Sequence, residues 1–406
     1  MKLFGYEIKK APVPQPELTR YTRSYSRTGV QVTEDSAMTL SAVYSCVAVL
    51  ARNVAALPTH LYKRLPTGGK AAVTDHPLYN CLKMRVNPEI SAFAFKQFQM
   101  VCCLLWGNSY AYIVRDNAGR VAELWPLHPR YVTPKRDENS DIVYEVAIPN
   151  TDKLIIPADN MLHIPNISLD GIVGRSAIQS CTDAVALGLA AEKFSVNFYS
   201  NGANLDKVLT HPGKLSQGAY ERLKEDFDST YTGITNAHKT AILEEGTDIK
   251  LIGMPLADAQ LIESRKFQIE EIARIFNVPL HLIQSQDKAN SWGAGIEQQN
   301  IGFVVYSLMP WLVCSEQEYT YKLLNPLERL DMYVEFMTDA LLRGTTAERY
   351  NAYAVGIQWG WLSPNDVRAK ENMNPIPNGD IYRSPLNMVP LGSQSTEDGG
   401  QNENKT

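Results

Sequence analysis

The chain has 406 residues, 44% of them hydrophobic and 20% charged. This predicts two or three packed modules with their own cores and excludes wholesale disorder, collagen-like repetition and continuous coiled coil. A formal net charge of −5 excludes a surface that neutralises phosphates as a whole, so tight sequence-independent DNA binding is not expected, although weak attraction that lets DNA slide is compatible with it.

Residues 1–37 carry Pro12, Pro14 and Pro16 and a Ser/Thr/Arg/Tyr-rich stretch, and read as a flexible arm. From Thr39 a core helix is predicted, because Val43, Cys46, Val47, Leu50, Val54 and Leu57 form an apolar face that stops at Pro58. Gly68-Gly69 reads as a hairpin turn. A second helix spans Ser91 to Leu105 and breaks at Gly107-Asn108. Alternating strands follow at Ser109 to Arg115 and Arg120 to Leu124 around Asp116-Asn117-Ala118-Gly119, then near Tyr131 to Pro134, Val143 to Ile148 and Lys153 to Ile156. This part is α+β.

Ser176 to Ala203 reads as one long helix, roughly 40 Å at 1.5 Å per residue, rich in small residues such as Ala184, Gly188 and Ala191. Such a surface suits a crowded ring of parallel helices and equally a plain bundle. A small α/β unit comes next: strand Lys207 to His211, a helix with Tyr220, Leu223, Phe227 and Tyr231 on one face, and strands Lys239 to Leu243 and Asp248 to Met254. Helix Ala257 to Phe276 turns Ile269, Ile272 and Phe276 inward until Val278-Pro279 stops it. Gln284 to Gly295 is polar and Gly-containing, a flexible loop. The helix after it, Ile296 to Leu324, holds Pro310, so a kink is predicted. A strand near Met332 to Met337 precedes helices Thr346 to Trp359 and Pro364 to Glu371, the second announced by Ser363, Pro364 and Asp366. Gly392 to Thr406 reads as a disordered tail.

The residues suggest no catalysis. No P-loop, H-E-x-x-H, C-x-x-C or G-x-S-x-G occurs, and the seven histidines lack ligand spacing; no metal and no cofactor are expected. The six cysteines lie mostly in apolar runs, the pattern of a reducing cytoplasm. The N-terminus lacks a signal-peptide core and no uncharged apolar run reaches the roughly 18 residues of a span, so no membrane is expected. The pairs Glu244-Glu245 and Asp226/Asp228 read as solvated. Of the tryptophans, Trp106, Trp125, Trp311, Trp359 and Trp361 read as core, and Trp292 in its polar loop as a candidate base- or DNA-facing side chain.

The order of phrases resembles the portal protein family of tailed double-stranded DNA bacteriophages, in its long-tailed, siphophage-type branch. The likeness runs from Met38-Thr39-Leu40-Ser41-Ala42-Val43-Tyr44 through Ala56-Leu57-Pro58, His76-Pro77-Leu78-Tyr79, Asn87-Pro88, Gly107-Asn108-Ser109-Tyr110 and Gly174-Arg175-Ser176. It continues through Asn201-Gly202-Ala203, Asp258-Ala259-Gln260, Glu271-Ile272-Ala273-Arg274-Ile275-Phe276-Asn277-Val278-Pro279, Glu297-Gln298 and Leu308-Met309-Pro310 to Gly360-Trp361-Leu362-Ser363-Pro364.

The resemblance implies an α+β portal fold. After the arm (1–37) come an α/β wing (38–173), a first stem helix (174–203), a small α/β clip (204–255), a second stem helix (256–280) and a tunnel loop (281–296). A kinked helix with further wing (297–340), a helical crown (341–391) and the tail (392–406) complete it. It implies a twelve-subunit homo-oligomeric ring at one capsid vertex, assembled in the host cytoplasm, that passes double-stranded DNA without sequence preference. Its partners are then the major capsid protein, the terminase large subunit and the head–tail adaptor.

The tunnel loop would face DNA with Gln286, Lys288, Asn290, Ser291 and Trp292, and the clip would offer Lys207, Lys214, Arg222 and Lys239 to motor or adaptor. Ordinary solvated surface is the competing reading for each lysine and arginine, and a plug under the wing helix for Trp292. A channel-less minor head protein and a metal-dependent nuclease are the rival functions.

Overall fold

The computed structural model describes residues 2–3, 6–7, 25–66, 68–200, 207–210, 213–214, 216–231, 248–251, 257–283, 293–338 and 346–383. The chain forms two compact units, Met1–Thr338 and Asp339–Thr406.

In the first unit, β1 (Lys2–Leu3) pairs antiparallel with β2 (Tyr6–Glu7). Helix α1 (Glu34–Ala37) starts at a capping box in which Thr33 and Ser36 satisfy each other's backbone N–H. Helix α2 (Ser41–Ala56) buries Val43, Cys46, Val47, Leu50 and Val54, and each large side chain so buried contributes roughly 1.5–3 kcal/mol. Pro58 ends it, as predicted. The chain reverses at Gly68 and Gly69, both at positive φ (88° and 83°), to join β3 (Thr59–Arg64) to β4 (Lys70–Ala72). Helix α3 (Pro77–Lys83), not foreseen from periodicity, begins where the His76 ring accepts the Leu78 N–H at 3.1 Å.

Helix α4 (Ala92–Trp106) takes Ser91 as its N-cap and ends at Gly107, φ 79°. Strands β5 (Asn108–Arg115) and β6 (Val121–Leu127) follow, with Asp116 accepting the N–H groups of Ala118 and Arg120 in the turn between them. Strands β7 (Val132–Arg136), β8 (Ile142–Val146) and β9 (Leu154–Pro157) form an antiparallel sheet, and β10 (Met161–Pro165) returns to pair with β5. Tyr110, Val132, Tyr144, Val146, Ile156 and Met161 make the core between these two sheets.

One buried histidine pins that core. His163 is 6% exposed; its Nε2 stands 2.9 Å from Asn108 Oδ1 and its Nδ1 3.1 Å from the Tyr144 hydroxyl. Asn108 Oδ1 also accepts the Gly174 N–H at 2.8 Å. An amide oxygen only accepts, so Nε2 carries the proton and Nδ1 receives the tyrosine hydroxyl. Burial, helped by Lys322, pushes the His163 pKa down to about 3, so the ring is neutral at any ordinary pH.

Helix α5 (Ala177–Ser180) and helix α6 (Thr182–Ser200) replace the single helix expected from Ser176. Cys181 leaves the helical region (φ −113°, ψ 35°), and the Thr182 hydroxyl donates back to the Gln179 carbonyl at 2.8 Å, a bond known to bend helices. A small unit holds β11 (Lys207–Thr210), α7 (Gln217–Tyr231) and β12 (Asp248–Leu251), with β11 and β12 antiparallel. The predicted strand Lys239 to Leu243 and the pair Glu244-Glu245 lie outside the described residues, as do the side chains of Asp226 and Asp228.

Helix α8 (Ala257–Phe276) matches its predicted span and packs on α2 and α6. Gly188 of α6 permits that approach: a Cβ there would stand 3.2 Å from Leu40 Cδ1 and 3.8 Å from Ile272 Cδ1. Helix α9 (Gly293–Gly302), a π-helical turn (Phe303–Leu308) and α10 (Met309–Leu323) then run on. The irregularity expected at Pro310 thus falls in the turn before it. Strand β13 (Met332–Phe336) pairs with β3. Its other edge is closed by α10, where Thr320 Oγ1 and Glu316 Oε1 accept the Val334 and Phe336 N–H groups at 3.0 and 2.7 Å.

In the second unit, α11 (Thr346–Gln358) precedes α12 (Pro364–Lys370), which opens with the predicted capping box of Ser363 and Asp366. Glu371 accepts from Arg349 Nε and the Tyr353 hydroxyl at 3.1 and 3.0 Å. Trp359 and Trp361, expected in a core, are 51% and 61% exposed. Gly360 between them takes φ 76°, and the reversal turns both rings outward. In the first unit Trp106, Trp125 and Trp311 are half-buried.

Candidate functional site

The five loop residues expected to face DNA, Gln286, Lys288, Asn290, Ser291 and Trp292, lie outside the described residues. Both anchors of the segment are described. At its start α8 ends in a Schellman motif: the Val278 N–H donates to the Ala273 carbonyl at 2.9 Å and the Asn277 N–H to the Arg274 carbonyl at 3.2 Å. Asn277 takes φ 52°, the left-handed conformation that asparagine tolerates better than other side-chain-bearing residues. Leu280–Ile283 then form a 3-10 turn.

At its far end the segment enters α9 and the π turn. His281 Nε2 lies 3.1 Å from Asn300 Oδ1, and Asn277 Nδ2 donates to the Tyr306 carbonyl at 2.9 Å. The Ser307 hydroxyl donates in return to the Asn277 carbonyl at 2.5 Å. Beside these bonds an apolar groove of about 540 Å³ is lined by Leu104, Ile167, Phe276, Tyr306, Trp311 and Cys314 among others.

Of the residues expected in the clip, Lys207 opens β11, its backbone opposite Leu251. Lys214 and Arg222 are exposed, and Arg222 Nε donates to the Gly218 carbonyl at 3.4 Å, within its own helix. Lys239 lies outside the described residues. No hydrogen bond or ion pair among the described residues joins Lys214 to Arg222.

The cysteine thiols are held in unreactive states. Burial raises every cysteine thiol, that of Cys46 to about 12, whereas a nucleophilic thiol needs a lowered pKa. Among the described residues no three His, Cys, Asp or Glu side chains are grouped to hold a metal ion, and no helix is long and apolar enough to cross a membrane.

Residues 41–372 match the phage portal protein family. The chain belongs to the phage portal protein family. The probable portal protein of Streptomyces phage phiC31 is 32% identical over 385 residues, covering 90% of this chain and 82% of that protein. The portal protein of Enterobacteria phage HK97 is 28% identical over 367 residues, covering 90% and 86%. Among solved structures, the neck of a native gene transfer agent (GTA) particle computed with C12 symmetry superposes with a TM-score of 0.58 at 20% identity, covering 87% of this chain and 95% of that one. Portal proteins are structural components of the virion, and this chain has their function: it forms the channel at a capsid vertex through which DNA is packaged.

The residues that tie together the two ends flanking positions 284–292 were not singled out from the sequence. Asn277 carried a usable signal, since an asparagine directly after the last apolar residue of a helix and two before a proline marks a left-handed cap. Asn300, Tyr306 and Ser307 carried none, because their partners come from the preceding helix and its turn.

Proposed function

We propose that the chain closes head-to-tail into a ring of about twelve subunits. The ring seeds head assembly against the major capsid protein, seats the terminase large subunit, passes double-stranded DNA and later holds the head–tail adaptor, with no catalysis of its own. The observation that carries this reading is the family match across residues 41–372. Exposed apolar side chains on the paired helices α6 and α8, Leu187, Phe194 and Phe267, support it, because an isolated chain leaves them wetted.

In this reading residues 38–173 and 297–340 are the wing, 174–203 and 256–280 the stem, 204–255 the clip and 341–391 the crown. Gln286, Lys288, Asn290, Ser291 and Trp292 meet DNA, Lys288 through phosphate and Trp292 by stacking. Lys207, Lys214, Arg222 and Lys239 meet the motor or adaptor.

Native mass spectrometry with negative-stain electron microscopy tests the ring. Closed rings of about twelve 45.4 kDa subunits with a central hole are expected, and a compact monomer at high concentration would point to a minor head protein. Deleting Ser285 to Ala294 is expected to leave ring assembly intact and impair packaging or DNA retention; normal packaging would remove the loop's role.

A further inference from the structure

We propose that Asn277 and Pro310 together form a register pivot, a pair of positioning residues that sets the rotational phase of α9 against α8 and α10. A proline inside a helix has no N–H for the carbonyl four residues back, and its ring crowds that carbonyl. For Pro310 that residue is Tyr306. The chain answers by widening: Phe303–Leu308 is π-helical, and the Met309 N–H donates to the Val304 carbonyl, five residues back. The Tyr306 carbonyl is met from outside the helix, by Asn277 Nδ2 at 2.9 Å, while Ser307 Oγ donates to the Asn277 carbonyl.

The donor is well chosen. Asn277 is the left-handed residue that ends α8, so its backbone is fixed by the Schellman motif while its side chain reaches the π turn. Glycine would supply the conformation without the donor, and glutamine the donor without the easy left-handed backbone. Six residues before Tyr306, Asn300 makes a second tie, to His281, at 3.1 Å. The segment after α8 thereby holds the π turn at Tyr306 and Ser307 and α9 at Asn300.

A π turn carries one residue more than an α turn. Its conversion to α geometry would rotate α9 by about 100° about the axis of α10 and shift it by about 1.5 Å. Asn277 is exposed, so its bond competes with water and holds the π register lightly. Pro310 disfavours the α register by removing an N–H and crowding the Tyr306 carbonyl, and Asn277 adds to the preference for the π register by about one net hydrogen bond. The consequence for DNA rests on the channel reading: in a portal, the phase of α9 sets the direction in which the start of that helix, at Gly293, points.

The test uses the full-length chain with Asn277→Gly and Asn277→Asp, which remove the donor, and Pro310→Ala, which restores the N–H. Hydrogen–deuterium exchange is read on amides 303–309, α9 is located by electron cryo-microscopy, and packaging is measured in particles. The Asn277 variants are expected to speed exchange about fivefold, the size of one net hydrogen bond. Pro310→Ala is expected to slow exchange and give a continuous α-helix with α9 rotated. Both classes should assemble normally and package less DNA. Unchanged exchange and an unrotated α9 in all three variants would overturn the pivot. Changed exchange with normal packaging would overturn its role in the channel, and a wild-type chain that forms no ring would sink the channel reading while leaving the exchange result to decide the pivot.

Discussion

The layered sheets between β5 and β10 and the helix pair α6–α8 deal with apolar surface in opposite ways. Between the sheets, Tyr110, Val132, Tyr144, Val146, Ile156 and Met161 are buried against one another, and the one histidine among them has both ring nitrogens bonded. On α6, Leu187 and Phe194 are seven residues apart, hence on one face, and are 47% and 53% exposed; Phe267 on α8 is 52% exposed. The interior between the sheets is filled from within one chain, although Leu154 and Ile155 on the outer strand β9 stay 53% and 64% exposed. The helix pair is finished only when something outside the chain covers it, which is what a ring subunit requires.

The sheet region is packed most tightly at Gly174. A Cβ on Gly174 would overlap the Gly107 carbonyl and the Asn166 backbone nitrogen, and no side-chain rotation relieves a backbone clash. Gly174→Ala is therefore expected to cost about 4 kcal/mol or more, read as loss of soluble protein or of the thermal transition; a normally stable variant would show that the sheet region is looser than described.

Next in size is His163→Leu. It leaves Asn108 and Tyr144 without their ring partner inside a closed core, at a cost of about 3 kcal/mol. Because the ring is neutral in the folded state and protonates near pH 6.5 when unfolded, wild-type stability falls as pH drops below about 6.5 and keeps falling toward the folded pKa near 3. The leucine variant should lose that part of the acid slope, measured by chemical denaturation between pH 7 and 4. An identical slope in both proteins would show that His163 is not buried neutral.

Phe194→Ser sharpens the other side. The exposed ring contributes little within one chain, so monomer stability should change by no more than about 0.5 kcal/mol, while ring yield by native mass spectrometry falls. Unchanged assembly would remove this face from the subunit contact.

The smallest effect concerns Lys96, 7% exposed, whose Nζ donates to the Leu57 carbonyl at 2.5 Å and to Thr59 Oγ1 at 3.4 Å and lies 5.7 Å from the centre of the Phe336 ring. Burial lowers its pKa from 10.5 to about 8. Below pH 8 both states hold the proton and the cost of burying the charge is fully present. Between about 8 and 10.5 the unfolded chain binds more protons, so stability rises with pH. Lys96→Met lacks this rise, and its thermal midpoint relative to wild type should fall by about 3 °C from pH 7 to pH 10; a constant difference would assign Lys96 a different protonation.

What the sequence determined by itself is whatever its chemistry decides within a few residues. The stop of α8 at Phe276, the Ser363–Asp366 capping box, the Asp116 turn and the Gly68-Gly69 reversal were all legible, because cap, turn and breaker residues act on backbone groups one to four positions away. The family was legible too, from phrases spread in order along the chain. Tertiary structure alone decided that β13 pairs with β3, placing Glu335 opposite His60, that Gly107 and Gly174 touch, and that Asn108, Tyr144 and His163 form one network. It also decided that a predicted long helix bends at Cys181 and that Trp359 and Trp361 face outward. Before α10, Pro310 announced an irregularity, but that it takes the form of a π turn whose Tyr306 carbonyl is met by Asn277, the cap residue of α8, was decided only in the tertiary structure. A side chain's meaning in these places depends on a partner that arrives only when distant segments fold together, and no local pattern encodes that arrival.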